Sequence, residues 1–264
     1  MDKISIKLCG GLGNFLFEIA TAYAYAKRYN KKLVLDKDDA VVIHKKIDTY
    51  TDNILSNCKE YFSSEKFGGT QFNEQGFHYT EIPKINGNVY LNGYFQSAKY
   101  FDDADIKSLF RYSQEESDRI VSEFHKKYPN VDMSKACSIH VRRGDYLKFP
   151  DHHPVQTMGY YTKAIKKMPK DSVFLIFSDD LQWCRQNFPD AADKFIFIDG
   201  NKDFEDLHIM SKCMNNIIAN STFSWWSAYL NENQGTIVAS KTWFGPAYPN
   251  HDIKDLYLPN WITI

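Results

Sequence analysis

Two adjacent arginines close a short apolar run in Ser138-Ile139-His140-Val141-Arg142-Arg143-Gly144-Asp145, and they are the residues of this chain best suited to hold an anion. A guanidinium keeps its charge at any ordinary pH, and its fixed fork of N–H donors matches two phosphate oxygens. With Gly144 letting the chain fold back, Arg142 and Arg143 form a clamp for a phosphate or pyrophosphate, or one of them pairs with Asp145 as a structural salt bridge. A second anion site is suggested by Asn220-Ser221-Thr222-Phe223-Ser224-Trp225-Trp226, which reads as a strand end entering a helix capped by Ser221 or Thr222. A helix start offers unpaired backbone N–H groups and the positive end of the helix dipole, although it serves equally to cap a core helix. Near the beginning, Gly10-Gly11-Leu12-Gly13-Asn14 is a tight turn that presents Asn14. Read as G-x-G-x-x-L it lacks the third small residue of a dinucleotide fingerprint, while Asp36 imitates the acidic residue that would hold a ribose.

These residues need a scaffold that gathers them. Apolar runs at 137–141, 173–177, 195–198, 216–219 and 236–239 are continuous rather than alternating, as in strands buried on both faces. Helix-like stretches at 160–168, 181–188, 204–213 and 222–231 separate them, and the alternation predicts βαβ units of a doubly wound α/β domain. Ligands of such sheets bind beyond the carboxyl ends of the strands. That rule puts Arg142, Arg143 and Asp145 on one rim with Ser178, Asp179 and Asp180, with Asp199 and Gly200, and with Asn220, Ser221 and Thr222. The first half opens in the same style, with a strand at 4–8, the glycine turn, a helix at 15–28 and a strand at 32–35. From 36 to 87 the pattern weakens into polar, loop-rich sequence. A helix over 114–128, with Ile120, Val121 and Phe124 on one face, leads to the polar stretch 129–134, the expected boundary between lobes 1–132 and 133–264.

Composition narrows the function classes. Lys and Arg number 32 against 33 Asp and Glu, a net charge of −1. That balance argues against nucleic-acid binding and makes any anion site local. Cys9, Cys58, Cys137, Cys184 and Cys213 show no paired spacing and read as free thiols of a reducing compartment. No signal-like apolar centre follows Met1, and no run of about 18 apolar residues occurs. The expectation is a soluble cytoplasmic protein without a transmembrane segment, leaving room for peripheral membrane association. His152-His153 lacks partners at metal-ligand spacing. Asp36-Lys37-Asp38 and Asp103-Ala104-Asp105 imitate the D-x-D of metal-dependent glycosyltransferases at a spacing that chance supplies, so no metal site is expected.

Together the motifs resemble those of the inverting α-1,2-fucosyltransferases of glycosyltransferase family 11. The resemblance rests on Gly10-Gly11-Leu12-Gly13-Asn14, on His140-Val141-Arg142-Arg143-Gly144-Asp145-Tyr146, on Phe177-Ser178-Asp179-Asp180 and, most specifically, on Ile217-Ile218-Ala219-Asn220-Ser221-Thr222-Phe223-Ser224-Trp225-Trp226. It implies a GT-B type architecture, two Rossmann-like lobes with the nucleotide-sugar site between them. The lobe at 1–132 would face the acceptor and the lobe at 133–264 would bind GDP-fucose. The implied reaction is metal-independent transfer of L-fucose from GDP-fucose, with no further cofactor, to the 2-hydroxyl of a terminal galactose in an oligosaccharide or surface glycan. The shared motifs of core α-1,6- and protein O-fucosyltransferases assign Arg142 to the donor's β-phosphate, Asp206 to its guanine, and Ser221, Thr222 and the Phe223 backbone to its phosphates. They set Asn14 against the reacting sugar. His140, Arg143 and Asp179 lie within the same motifs and complete the expected donor site. The family usually reads G-N-Q-M-F-Q where this chain has Asn14-Phe15-Leu16-Phe17-Glu18, a departure expected to bear on acceptor contacts.

In such a reaction the leaving diphosphate gains negative charge, and each preorganised donor aimed at it is worth roughly 10²–10³ in rate. Arg142, with Arg143 and the helix start, would do what a metal does elsewhere. Asp145 is the best-placed carboxylate for taking the acceptor proton, but neighbouring arginines weaken a carboxylate as a base. It serves either as that base or as the orienter of an arginine. Two readings of other classes compete: an NAD(P)-dependent oxidoreductase built on the glycine turn and Asp36, and a nucleotide- or glycan-binding module without catalysis.

Overall fold

A computed structural model describes residues 1–38, 40–42, 45–64, 67–189, 191 and 193–264. The chain forms one unit from Met1–Ser113 with His251–Leu258 and a second from Gln114–Asn250 with Pro259–Ile264. The crossing thus precedes the helix Gln114–Lys127, and the boundary expected at 132/133 moves forward to 113/114. The physical reason lies in that helix's partners, because Ser117 meets His208 at 2.9 Å and Arg119 meets Glu205 at 2.8 Å.

In the first unit β1 (Lys3–Ile6), β2 (Lys32–Leu33), β3 (Thr70–Asn73) and β4 (Val89–Asn92) make a parallel sheet in the order β2-β1-β4-β3. Helix α1 (Leu12–Tyr29) buries Phe15, Leu16, Phe17 and Ile19, and stops at Asn30 in the left-handed conformation, φ 51°. Phe15 is therefore a core residue. The pair Cys9–Gly10 and Val41–Val42 forms a short parallel ladder just ahead of α1. The polar stretch after residue 36 holds more structure than expected. It supplies edge strand β3 and the 3₁₀ turns Ile47–Tyr50 and Ser56–Tyr61, and buries Tyr50, Ile54, Leu55 and Cys58. Helix α2 (Asp103–Leu109) closes this part of the chain.

The second unit begins with α3 (Gln114–Lys127) and is built on six parallel strands: β5 (Ala136–Val141), β6 (Val173–Ser178), β7 (Phe195–Phe197), β8 (Asn215–Ile217), β9 (Ile237–Ala239) and β10 (Ile262–Thr263). Their order is β7-β6-β5-β8-β9-β10. Every residue of central β5 is buried, which is why these strands read as unbroken apolar runs. Helices α4 (Met158–Ile165), α5 (Leu181–Asn187), α6 (Asp203–Lys212) and α7 (Thr222–Tyr229) follow successive strands of the sheet, as the alternation predicts. Edge strand β10 escapes the sequence pattern because two residues carry no period. Parallel pairing sets Ser178 beside Val141, so the chain leaving β5, β6 and β8 emerges on one rim. Among the described residues no helix is long and apolar enough to cross a membrane.

Candidate active site

Arg142 leaves β5 into a web of carboxylates. Its Nη2 donates to Asp145 Oδ1 at 2.6 Å, its Nη1 lies 3.0 Å from Asp179 Oδ2, and its guanidinium stands 5.5 Å from the centre of the Tyr146 ring. Of the two alternatives weighed for this turn, the salt bridge is present, and Arg142 makes it with Asp145. Arg143 points elsewhere. Its Nε donates to Asp180 Oδ2 at 3.0 Å and its guanidinium lies 4.1 Å from the Trp183 ring centre, while its backbone N–H donates to Asp179 Oδ1 at 2.9 Å. Asp179 therefore ties both arginines to the end of β6. The Arg143 guanidinium beside Asp180 holds that carboxyl below the usual carboxylate range, helped by the Trp183 N–H that Asp180 caps at the start of α5. A Cβ at Gly144 would stand 2.6 Å from Asp179 Oδ2, so any larger residue there must displace that carboxylate.

His140 lies behind the turn, almost enclosed, with its ring 5.4 Å from Phe223. Burial, with the Arg142 charge adding, pushes its pKa down to about 3, so the imidazole is neutral and Nδ1 has no hydrogen-bond partner. It brings no positive charge to the rim. Tyr146 joins the arginine turn to the helix start: its hydroxyl donates to the Asn220 carbonyl at 2.9 Å, and its ring stacks on His153 at 5.0 Å. Ser221 precedes α7, whose first turn carries Thr222 and Phe223, and its side chain makes no cap hydrogen bond. Trp225 and Trp226, both fully buried, fix α7 to the core.

Asp206 stands apart on α6, bonded by Asn201 Nδ2 at 2.9 Å. Burial raises its carboxyl to about 7, and neighbouring Asp203 and Glu205 add to the shift. Asn14 belongs to the first unit, on the opening turn of α1, where Gln96 Nε2 donates to its Oδ1 at 3.2 Å. The second unit thus gathers His140, Arg142, Arg143, Asp145, Asp179, Ser221, Thr222 and Phe223 about one rim. Sequence reasoning gave no role to Tyr146 or Gln96. Tyr146 was legible as the residue ending the arginine motif, and Gln96 as the polar residue in Gly93-Tyr94-Phe95-Gln96-Ser97 after an apolar run.

In Asp103-Ala104-Asp105, Asp105 pairs with Lys27 at 2.5 Å and Asp103 with Lys107 at 3.3 Å, while in Asp36-Lys37-Asp38 the Asp38 N–H donates to Asp36 Oδ1 at 2.9 Å. Among the described residues no group of three or more His, Cys, Asp or Glu side chains is placed to hold a metal ion. All five cysteines are free thiols. The sequence profile of Glycosyl transferase family 11 matches residues 2–264. The chain belongs to glycosyltransferase family 11. An α-1,2-colitosyltransferase of Escherichia coli is 27% identical to this family 11 chain, covering 92% of it and 93% of the relative. A galactoside 2-α-L-fucosyltransferase of Caenorhabditis elegans is 26% identical over 86% of this chain and 68% of its own. Among solved structures, fucosyltransferase NodZ from Bradyrhizobium is similar with a TM-score of 0.57 at 14% identity, over 86% of this chain and 91% of that one. The family 11 chain shares its GT-B-like α/β fold, and it is a glycosyltransferase.

Proposed function

We propose that this enzyme transfers L-fucose from GDP-fucose to the 2-hydroxyl of a terminal galactose, with inversion and without a metal. The observation that carries the reading is the family 11 match over essentially the whole chain. As the acceptor oxygen bonds to the anomeric carbon, the bond from that carbon to the diphosphate breaks, GDP leaves with the electron pair, and the hydroxyl proton passes to solvent. Charge gathers on the diphosphate, and Arg142 with the start of α7 is the group that meets it. Carboxylates outnumber guanidiniums at this turn, so the turn is no standing positive patch. Arg142 must exchange a carboxylate oxygen for a phosphate oxygen, while Asp145 and Asp179 hold its plane. This geometry favours Asp145 as orienter over base. Arg143, spent on Asp180 and Trp183, builds the wall of the turn.

In this reading the second unit binds GDP-fucose, with Asp206 on the guanine, and the first unit presents Asn14 to the sugar and takes the acceptor. A cytoplasmic location, with peripheral attachment to membranes at most, belongs to the same reading and is checked by cell fractionation. The colitosyltransferase relative favours a second reading, in which colitose in place of fucose is the sugar transferred. The test is to offer GDP-fucose and GDP-colitose with a panel of β-galactosides, with and without EDTA, and to read the product linkage by NMR. An α-1,2-fucosyl product formed equally in EDTA is expected. Transfer from GDP-colitose alone moves the reading to that donor, and GDP binding with no transfer supports the non-catalytic module. Thermal stabilisation by NAD(P) rather than GDP would support the oxidoreductase.

A further inference from the structure

The first unit holds a braced loop beside Asn14. Glu74, just past β3, accepts two successive backbone N–H groups of residues 93–97: Tyr94 N–H on Oε2 at 2.8 Å and Phe95 N–H on Oε1 at 2.9 Å. Phe95 sits at φ 50°, a left-handed conformation that a bulky residue adopts only when its surroundings force it. Gly93, at φ 156°, packs so closely on Glu74 that no Cβ fits there. The bracing aims two side chains. Gln96 Nε2 meets the Asn14 amide, and Tyr94 is turned outward, 39% exposed, with its hydroxyl 3.6 Å from Cys9 Sγ. Paired in register with Cys9 stands Val41, 49% exposed. Apart from Met1, Val41 and Tyr94 are the exposed large hydrophobic residues of this unit among those described. Both flank the turn that carries Asn14.

An exposed ring and an aliphatic side chain next to paired amides suit one class of ligand. A hexopyranose lays a C–H face on an aromatic ring and turns its hydroxyls to amide groups. We propose that Tyr94, Cys9 and Val41 form the wall on which the acceptor's terminal hexose lies, with Gln96 and Asn14 reading its hydroxyls. Tyr94 is then a specificity-determining residue, and Glu74 a positioning residue acting through the loop. The inference rests on the proposed function in taking the acceptor to be a galactoside.

Cys9 supplies a readout independent of turnover, since it is the one cysteine of the five that is not buried. Native protein is treated with iodoacetamide, and modification is followed by mass spectrometry in lactose or in maltose, which has no galactose. Lactose is expected to slow alkylation of Cys9 at least threefold and maltose to leave it unchanged. Tyr94→Ala is expected to raise the acceptor KM about tenfold, as lost ring stacking would, with the GDP-fucose KM and Tm at their wild-type values; Tyr94→Phe restores the acceptor KM. Alkylation of Cys9 indifferent to lactose, or an acceptor KM within twofold of wild type in a folded Tyr94→Ala enzyme, overturns the wall and leaves the fucosyl-transfer reading standing. Protection by lactose in a protein that transfers to no galactoside upholds the wall and defeats that reading instead.

Discussion

Replacing Arg142 with alanine separates the clamp from the scaffold that holds it. The guanidinium makes two ion pairs, to Asp145 at 2.6 Å and Asp179 at 3.0 Å, with side chains between 22% and 42% exposed. Pairs this open to solvent contribute about 0–1 kcal/mol each. The loss of both lowers Tm by no more than about 8 °C, at 2–4 °C per kcal/mol for a chain of this size. The transition state loses more. Removing one preorganised donor from a developing oxyanion costs about 3–4 kcal/mol, roughly 10²–10³ in kcat. Arg142→Lys keeps the charge without the fork and is expected to recover only part of the rate. Initial rates of GDP release with a galactoside acceptor, beside a thermal melt of each variant, measure both quantities. A folded Arg142→Ala enzyme whose kcat stays within tenfold of wild type refutes the assignment.

Arg143→Ala is expected to reverse that balance, lowering Tm through the lost Trp183 and Asp180 contacts while kcat falls less than about tenfold. Gly144→Ala drives a Cβ against Asp179 and must loosen its hold on both arginines; steady-state kinetics should show at least about a tenfold loss. If Asp206 holds the guanine as proposed, it must be ionised to accept two N–H groups, and its carboxyl is raised to about 7. GDP affinity, measured by calorimetry, should therefore weaken about tenfold per pH unit below 7 and stay weak at all pH in Asp206→Asn. The stability sign is the opposite. A raised carboxyl binds more protons folded than unfolded between its ordinary value and 7, so Asp206 costs stability as pH rises through that window. The melting temperature of Asp206→Asn minus that of wild type should grow from pH 5 to pH 8.

Legibility in the sequence follows physical cause. β5 and β8 are buried throughout and β6 through its middle, so the mostly apolar stretches 137–141, 173–177 and 216–219 betray them, and the rim residues follow from where those stretches stop. The Arg142–Asp145 pair is local, three residues apart, and was open to inspection. Strand β3, Thr-Gln-Phe-Asn on an exposed edge, has no apolar period to find, and the core residues of the 3₁₀ turns are spaced without one. The division of labour between the arginines was hidden because it depends on Asp180 and Trp183, 37 or more residues away. The Glu74 brace was equally hidden, since its carboxyl reaches the loop through the pairing of β3 with β4, a register no spacing rule reveals. The direction of Phe15 was hidden too: the motif places it beside Asn14, and helix geometry turns it into the core.

The central claim is that a departing nucleotide diphosphate is neutralised by the fork of Arg142 and the amide-lined start of α7. A crystal structure of the protein with GDP tests it most directly. Phosphate oxygens within hydrogen-bonding distance of the Arg142 guanidinium and of the Thr222 and Phe223 backbone N–H groups are the predicted result. A diphosphate bound away from both, with Arg142 still closed on Asp145 and Asp179, would contradict it.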